Sequence, residues 1–331
     1  MLGGLLHVIN CNDFPACHEE GESVVYVDDD TDVVHAKSTT QLQAKIEREA
    51  NNSASWLKDN RLCVAGDKSK LLVIGTKQLK RRIHLNNMSI MVDNKQVSES
   101  LCEKLLGVRI NNELTWKAHL YGDASTEGLI TQLSKRVGIL SKLSKHMNKT
   151  RIKQFAAGIF YSKLNYCLPV FGHVFGLEKY KESQSRYTSF TTADNHRLQV
   201  LQNKINRIIT GANNRTSTAE LLKMTDSLSF QQMISYQTLV MTQKIIKSGK
   251  PTYLARRLYN MPNRTSLRGE NRLYQPRFKL SIKSEGFVAR GQTLMNALDS
   301  NIRNEESLRN FKSKAREWII QNIAVKPVSR V

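Results

Sequence analysis

Apolar residues recur along this chain with two different periods, and the change between them divides it. Val24 to Val27 and Val33 to Ala36 are β-branched runs on either side of an aspartate cluster, the pattern of two strands joined by a tight turn that carries the acids. Ser38 with Gln41 three residues later is a capping-box signal. Leu42, Ile46, Ala50, Ala54 and Leu57 then recur at near-helical spacing, which predicts a helix over 39–59. Lys70 to Gly75 reads as a buried strand, and shorter strands are predicted at Ser89 to Val92 and Leu105 to Ile110. From Trp116 the period becomes helical: Leu120, Leu129, Leu133, Val137, Leu140 and Leu143 fit helix, as do Ile152 to Leu164, Leu198 to Ile209, Phe230 to Ile246 and Leu308 to Ile323. Tyr180 to Ala193, rich in Ser and Thr, reads as a loop, and Gly249 to Pro276 as an irregular basic linker. The fold class is therefore α+β: a mixed region over 1–115, a helical one over 116–250, and a basic tail with a helix over 251–331.

Charge sharpens that division. The 331 residues hold 50 Lys and Arg against 29 Asp and Glu, a formal net charge of +21. No Lys or Arg precedes Lys37, whereas Asp13, Glu19, Glu20, Glu22, Asp28, Asp29, Asp30 and Asp32 all do, so the chain from Lys37 onward carries +29. An acidic focus followed by a long basic body points to polyanionic partners such as nucleic acid. The five cysteines, Cys11, Cys17, Cys63, Cys102 and Cys167, show no paired spacing, and a reducing setting is the expectation. Cys11, Cys17 and His18 lack a second ligand pair at zinc-finger spacing. The apolar stretch Met1 to Ile9 has no basic segment before it and is too short to span a membrane. The expected location is cytoplasmic or nuclear, not secreted, with no membrane partner.

Asp28, Asp29, Asp30 and Asp32 crowd into five residues, and carboxylates this close either raise one another's pKa or demand cations. A solvated hairpin tip is one reading. A calcium loop is a second, since Asp28, Asp30 and Asp32 take its first alternating positions, but Val33 stands where glycine is needed and Thr39 where a bidentate Glu belongs. The third is a two-metal nucleotidyl-transfer site, in which adjacent carboxylates on a hairpin offer hard oxygens to Mg²⁺.

The third reading has specific company. Tyr26-Val27-Asp28-Asp29 matches the Tyr-x-Asp-Asp signature of reverse transcriptases, between two apolar strands and ahead of a helix. Leu2-Gly3-Gly4-Leu5-Leu6 through Asn12-Asp13-Phe14-Pro15 resembles the tail of that family's preceding motif. Trp56-Leu57 to Asn60-Arg61-Leu62, then Lys68-Ser69-Lys70, is similar to the motif that holds a lysine near the incoming nucleotide. Lys104-Leu105-Leu106-Gly107-Val108 resembles the primer-grip turn, and Leu114-Thr115-Trp116 with His119 follows in the manner of non-LTR (LINE-type) retrotransposon enzymes. Looser resemblance runs on through Ile205 to Gly211, Pro251 to Leu258 and Phe287 to Ile320, where Met295-Asn296-Ala297-Leu298-Asp299 stands in for Trp-Asn-x-Leu-Pro.

The resemblance implies a partial palm domain, then a helical thumb and tail, of an RNA-directed DNA polymerase working on an RNA template, a DNA primer and deoxynucleotides. It implies Asp28 and Asp29 as the ligands of Mg²⁺ or Mn²⁺, with Asp30 a third acid that leaves the choice of adjacent pair open. Tyr26 is expected to pack beneath the turn that Val27 completes. Lys68 is placed to neutralise or protonate departing pyrophosphate, beside the plainer reading of a solvated lysine before a strand. Gly107 lets the backbone approach a primer, beside the plainer reading of a turn glycine. The family draws a further carboxylate and its fingers from upstream of Tyr-x-Asp-Asp, and none of Asp13, Glu19, Glu20 and Glu22 resembles that ligand, so no autonomous polymerase is expected. The alternative is a non-enzymatic nucleic-acid-binding remnant or recruited protein. Lys142, Lys145, Lys149, Arg151 and Lys153 cluster at a predicted helix boundary, and Arg256, Arg257, Arg264, Arg268, Arg272, Arg277 and Lys279 interleave with Tyr253, Tyr259, Tyr274 and Phe278. Phosphate neutralisation with base stacking is what such a surface offers.

Overall fold

A computed structural model describes residues 2–27, 29–75, 77–82, 88–93, 95–173, 190–259, 272–276 and 286–325. The chain separates into two units, Met1–Thr115 and Trp116–Val331, of mixed α and β and of mainly helical structure respectively.

The first unit opens with α1 (Leu2–Asn10) and a short 3₁₀ turn at Phe14–Cys17. The hairpin of β1 (Gly21–Tyr26) and β2 (Asp29–Val34) follows, antiparallel from Gly21 opposite Val34 to Tyr26 opposite Asp29. β2 begins at Asp29, so Asp29, Asp30 and Asp32 belong to the strand and not to the turn that the sequence pattern predicts. Helix α2 (Thr39–Asp59) begins where expected, with the Ser38 side chain accepting from the Gln41 N–H. It lays Leu42, Ile46 and Ala50 against a small core of Leu71, Val73, Met88, Ile90, Val92 and Val97.

That core is carried by β3 (Leu71–Leu72), β4 (Ser89–Val92) and β5 (Lys95–Ser100), in the order β3-β5-β4 with β3 parallel to β5. The strand expected over Lys70 to Gly75 is cut to two paired residues, after which Val73 is buried without ladder bonds. A short helix, α3 (Lys77–Arg82), lies between β3 and β4. The strand expected over Leu105 to Ile110 is a hairpin instead, β6 (Cys102–Leu105) with β7 (Val108–Asn111). Leu106 and Gly107 turn between them with φ of +44° and +83°, the two left-handed residues that a tight hairpin loop requires.

The second unit contains α4 (Lys117–Tyr121), α5 (Leu129–Leu143), α6 (Lys149–Ala156), α7 (Ser162–Asn165), α8 (Leu168–Phe171), α9 (Thr192–Thr210), α10 (Thr218–Thr225), α11 (Phe230–Ser248), α12 (Thr252–Ala255), α13 (Phe287–Ala297), α14 (Ser300–Arg303) and α15 (Leu308–Asn322). The helical pattern from Leu120 to Leu143 is interrupted at Gly122, whose φ of +80° and close approach to the Thr126 carbonyl and Gly128 leave no room for a Cβ. A π turn at Ala157–Tyr161 joins α6 to α7. The loop expected over Tyr180 to Ala193 ends early, because Thr191 caps α9 at Thr192; its residues before Phe190 lie outside the described ones.

Two apolar cores meet along α11. Phe230, Met233 and Ile234 pack with α5, the α6–α8 segment and α9, whereas Leu239 and Ile245 pack with α13, α14 and α15. A helix buried on several sides must satisfy its polar side chains internally. Gln232 donates to the Ile323 carbonyl (2.8 Å), Gln243 to that of Glu305 (3.2 Å), and the Thr238 and Thr242 hydroxyls back to the carbonyls of Ile234 and Thr238 (both 2.8 Å). The expected boundary at 250/251 falls inside this unit.

Candidate functional site

The register of the first hairpin determines what each acid faces. Alternation along paired strands puts Ser23 and Val25 with Asp30 and Asp32 on one face, and Val24 and Tyr26 with Asp29 and Thr31 on the other. Asp29 is exposed on the outer face. Tyr26 is 60% exposed beside it, a correction to the expectation that this ring packs beneath the turn; the strand's parity turns it outward with Val24. Val27, in the turn, holds φ at +60°. That is the left-handed region, costly for a β-branched residue. Asp28 lies outside the described residues.

The inner face is a cluster. Asp30 accepts from the Ser23 hydroxyl at 2.8 Å. The His18 side chain, 2% exposed, lies between the hairpin and α2: its Nε2 is 3.9 Å from Asp30 Oδ2, and its Nδ1 is 3.4 Å from Asp32 Oδ1 and 2.8 Å from Glu49 Oε2. Phe14 closes the ring's edge at 5.3 Å between centroids and packs in turn on Trp56. Glu49, buried on α2, accepts from the N–H of Glu19 (3.0 Å) and that of Glu20 as well as from His18.

These surroundings move the groups in opposite directions. Burial raises the Glu49 pKa, but the hydrogen bonds from Glu20, His18 and Glu19 outweigh it and hold the carboxyl below its ordinary range. Burial and the neighbouring charge of Asp30 push Asp32 up to about 6. Burial, then the charges of Asp32 and Asp30, also raise the Cys17 thiol. The nearby cations are committed elsewhere: Lys45 and Arg48 pair with Glu20 at 2.7 and 2.6 Å.

The other predicted residues are spread along the chain. Lys68 is exposed in the turn before β3, its backbone N–H bonded to the Ala65 carbonyl (2.8 Å), and no described hydrogen bond or ion pair joins it to the first hairpin. Gly107 serves the second hairpin turn. Lys142, Lys145, Lys149, Arg151 and Lys153 are all exposed where α5 ends and α6 begins, and no described ion pair involves them. Lys153 donates to the Thr225 carbonyl at 3.1 Å. Arg256 and Arg257 are exposed just after α12, with Tyr253 exposed within it. Tyr259 stacks on Tyr274 at 5.3 Å and 21°, one small aromatic platform in this region. Arg264, Arg268, Arg277, Phe278 and Lys279 lie outside the described residues.

In the sequence, His18 stands with two cysteines and Asp30 as a third acid beside Asp28 and Asp29; only the fold joins His18 to Asp30 and brings Glu49 to them. A signal existed. Glu49 falls seven residues after Leu42 and three after Ile46, so a carboxylate sits on the apolar stripe of α2. The chain matches no protein-family model, no curated protein and no solved structure.

Proposed function

We propose that this chain is part of an RNA-directed DNA polymerase of the non-LTR retrotransposon type, carrying its Tyr-x-Asp-Asp hairpin and the helical region that follows. The observation that carries the reading is that the Tyr26-Val27-Asp28-Asp29 sequence runs from the end of β1 to the start of its antiparallel partner β2, with α2 directly after. Asp29 presents an exposed carboxylate on the outer face, a hard oxygen donor of the kind Mg²⁺ or Mn²⁺ takes, and Asp28 is its sequence partner. Bound there, the ions would stabilise charge on the attacking and leaving oxygens. The chain's own part is to hold Asp29 outward by strand parity and to offer exposed Lys and Arg of the second unit to the phosphates of an RNA template and DNA primer. The apolar side chains of α1, among them Leu2, Leu5 and Leu6, and Val24 and Val33 of the hairpin are exposed. Uncovered apolar surface of that kind suits a palm that packs against further strands.

Primer extension on an RNA template with Mg²⁺ or Mn²⁺ tests the reading. The chain alone is expected to give no extension, because half a two-metal site forgoes most of the electrostatic stabilisation that in-line transfer needs. Joined to an upstream segment that brings fingers and a third carboxylate, it is expected to extend the primer, and Asp28→Ala is expected to abolish that. Extension indifferent to Asp28→Ala would overturn the assignment. A chain that binds nucleic acid in both forms yet never extends a primer is the outcome of the non-enzymatic reading.

A further inference from the structure

We propose that His18 Nε2, Asp30 and Asp32 bind a single divalent transition-metal ion, with Glu49 as the carboxylate that orients the histidine. This site is separate from the one the proposed function uses, because it lies on the opposite face of the hairpin from Asp29.

Acids alone would not carry the inference; the histidine does. Its side chain is 2% exposed, its Nδ1 is satisfied by Glu49 at 2.8 Å, and its Nε2 is buried with no hydrogen-bond partner among the described residues while pointing at Asp30. A buried ring nitrogen without a partner is costly and calls for a ligand. A ring nitrogen of His18 and one carboxylate oxygen each of Asp30 and Asp32 lie within 4.8 Å of one another, with Nε2 facing Asp30 Oδ2 at 3.9 Å and Nδ1 facing Asp32 Oδ1 at 3.4 Å. Ligand atoms about 2.0–2.2 Å from a zinc ion sit about 3.3 Å apart in a tetrahedron, so closing on an ion takes movements of roughly 1 Å. Both aspartates retain about a quarter of their side-chain exposure, 25% and 24%, which leaves a side open for the ion to enter and for water to complete its shell.

The partner of the other ring nitrogen agrees. A metal-bound histidine characteristically donates its other N–H to a carboxylate, which fixes the tautomer and turns the free nitrogen toward the ion. Glu49 does this to His18 from the middle of α2, itself held by the backbone N–H groups of Glu19 and Glu20. Charge balance points the same way. A neutral imidazole and two carboxylates cancel a divalent ion, whereas without one the acids face no free cation among the described residues, Lys45 and Arg48 being paired to Glu20. One imidazole with two carboxylates favours Zn²⁺, Co²⁺ or Mn²⁺ over Mg²⁺ and Ca²⁺, which seek oxygen alone. The ion would tie the segment after the 3₁₀ turn, the hairpin and α2 together.

The test is a Zn²⁺ titration of the full chain against a chromophoric chelator, with folding checked by circular dichroism and ring nitrogens followed by NMR of ¹⁵N-histidine-labelled protein. One ion per chain is expected, with a rise in thermal stability on binding. Glu49→Gln is expected to weaken binding by about 10- to 100-fold. Asp30→Asn and Asp32→Asn should weaken it at least as much, and Asp29→Asn should leave it unchanged. His18 Nε2 should lose its proton to the ion while Nδ1 keeps its own. Three results would overturn the proposal: no uptake by the folded wild-type chain, uptake lost in Asp29→Asn but retained in Asp32→Asn, or a His18 ring that keeps both protons in zinc-saturated protein.

Discussion

Val27 is where the hairpin is most constrained by a single residue. Its φ of +60° puts a β-branched side chain in a region that costs an ordinary L-residue about 1–2 kcal/mol, and its side chain is 55% exposed, so little packing compensates. Asn tolerates this conformation without the β-branched penalty. Val27→Asn is therefore expected to stabilise the chain by about 1 kcal/mol, read as a higher urea midpoint at unchanged slope. A lower midpoint would mean that Val27 is held by contacts worth more than its strain. The same turn explains why the sequence alone does not show which way Tyr26 faces. Without the register, nothing in Val-Val-Tyr-Val tells which residues face inward; pairing Tyr26 with Asp29 decides it at once.

Among the elements, α11 and α13 approach each other closely. A Cβ on Gly291 of α13 would meet Thr242 Oγ1 at 2.4 Å and Cγ2 at 3.3 Å, and both residues are buried in their helices. Gly291→Ala is expected to cost about 1–3 kcal/mol by overpacking. Adding Thr242→Ala should recover part of it, since the second change removes both obstructing atoms. A double-mutant cycle on unfolding free energies measures this; additive costs would show that the seam is looser than the distances indicate.

How far the elements were legible follows from the same physics. Helices α2, α9, α11 and α15 each show a long apolar period, and Ser38 with Gln41 also marks the start of α2, so period and cap located them. The breaks were not legible. Gly122 ends α4 because of a backbone approach that no periodicity encodes, and Leu106 looks like any strand residue until its pairing makes it a turn. The site split likewise. Adjacent acids are visible as a string of letters, but their division into Asp29 outside and Asp30 with Asp32 inside needs the strand register, and the partnership with His18 and Glu49 needs the tertiary fold.

At the scale of the molecule, charge is the property that sequence states most plainly and that both functional readings share. Lys37 onward carries +29, and within the second unit Lys142, Lys145, Lys149, Arg151, Arg256 and Arg257 are exposed. Exposed cations without carboxylate partners are free to replace the counterions condensed on a nucleic acid, and each replacement makes binding more sensitive to salt. An enzyme fragment and a binding remnant would both depend on this surface, so its behaviour decides whether either reading stands. The measurement is the affinity of the purified chain for an RNA–DNA hybrid at a series of salt concentrations. The expected result is a steep linear fall of log K with log salt, with affinity dropping on the order of a thousandfold between about 50 and 200 mM, and a shallower slope when Lys145, Lys149 and Arg151 are changed together to Gln. An affinity that hardly changes over that range, or a slope indifferent to the triple change, would contradict the account.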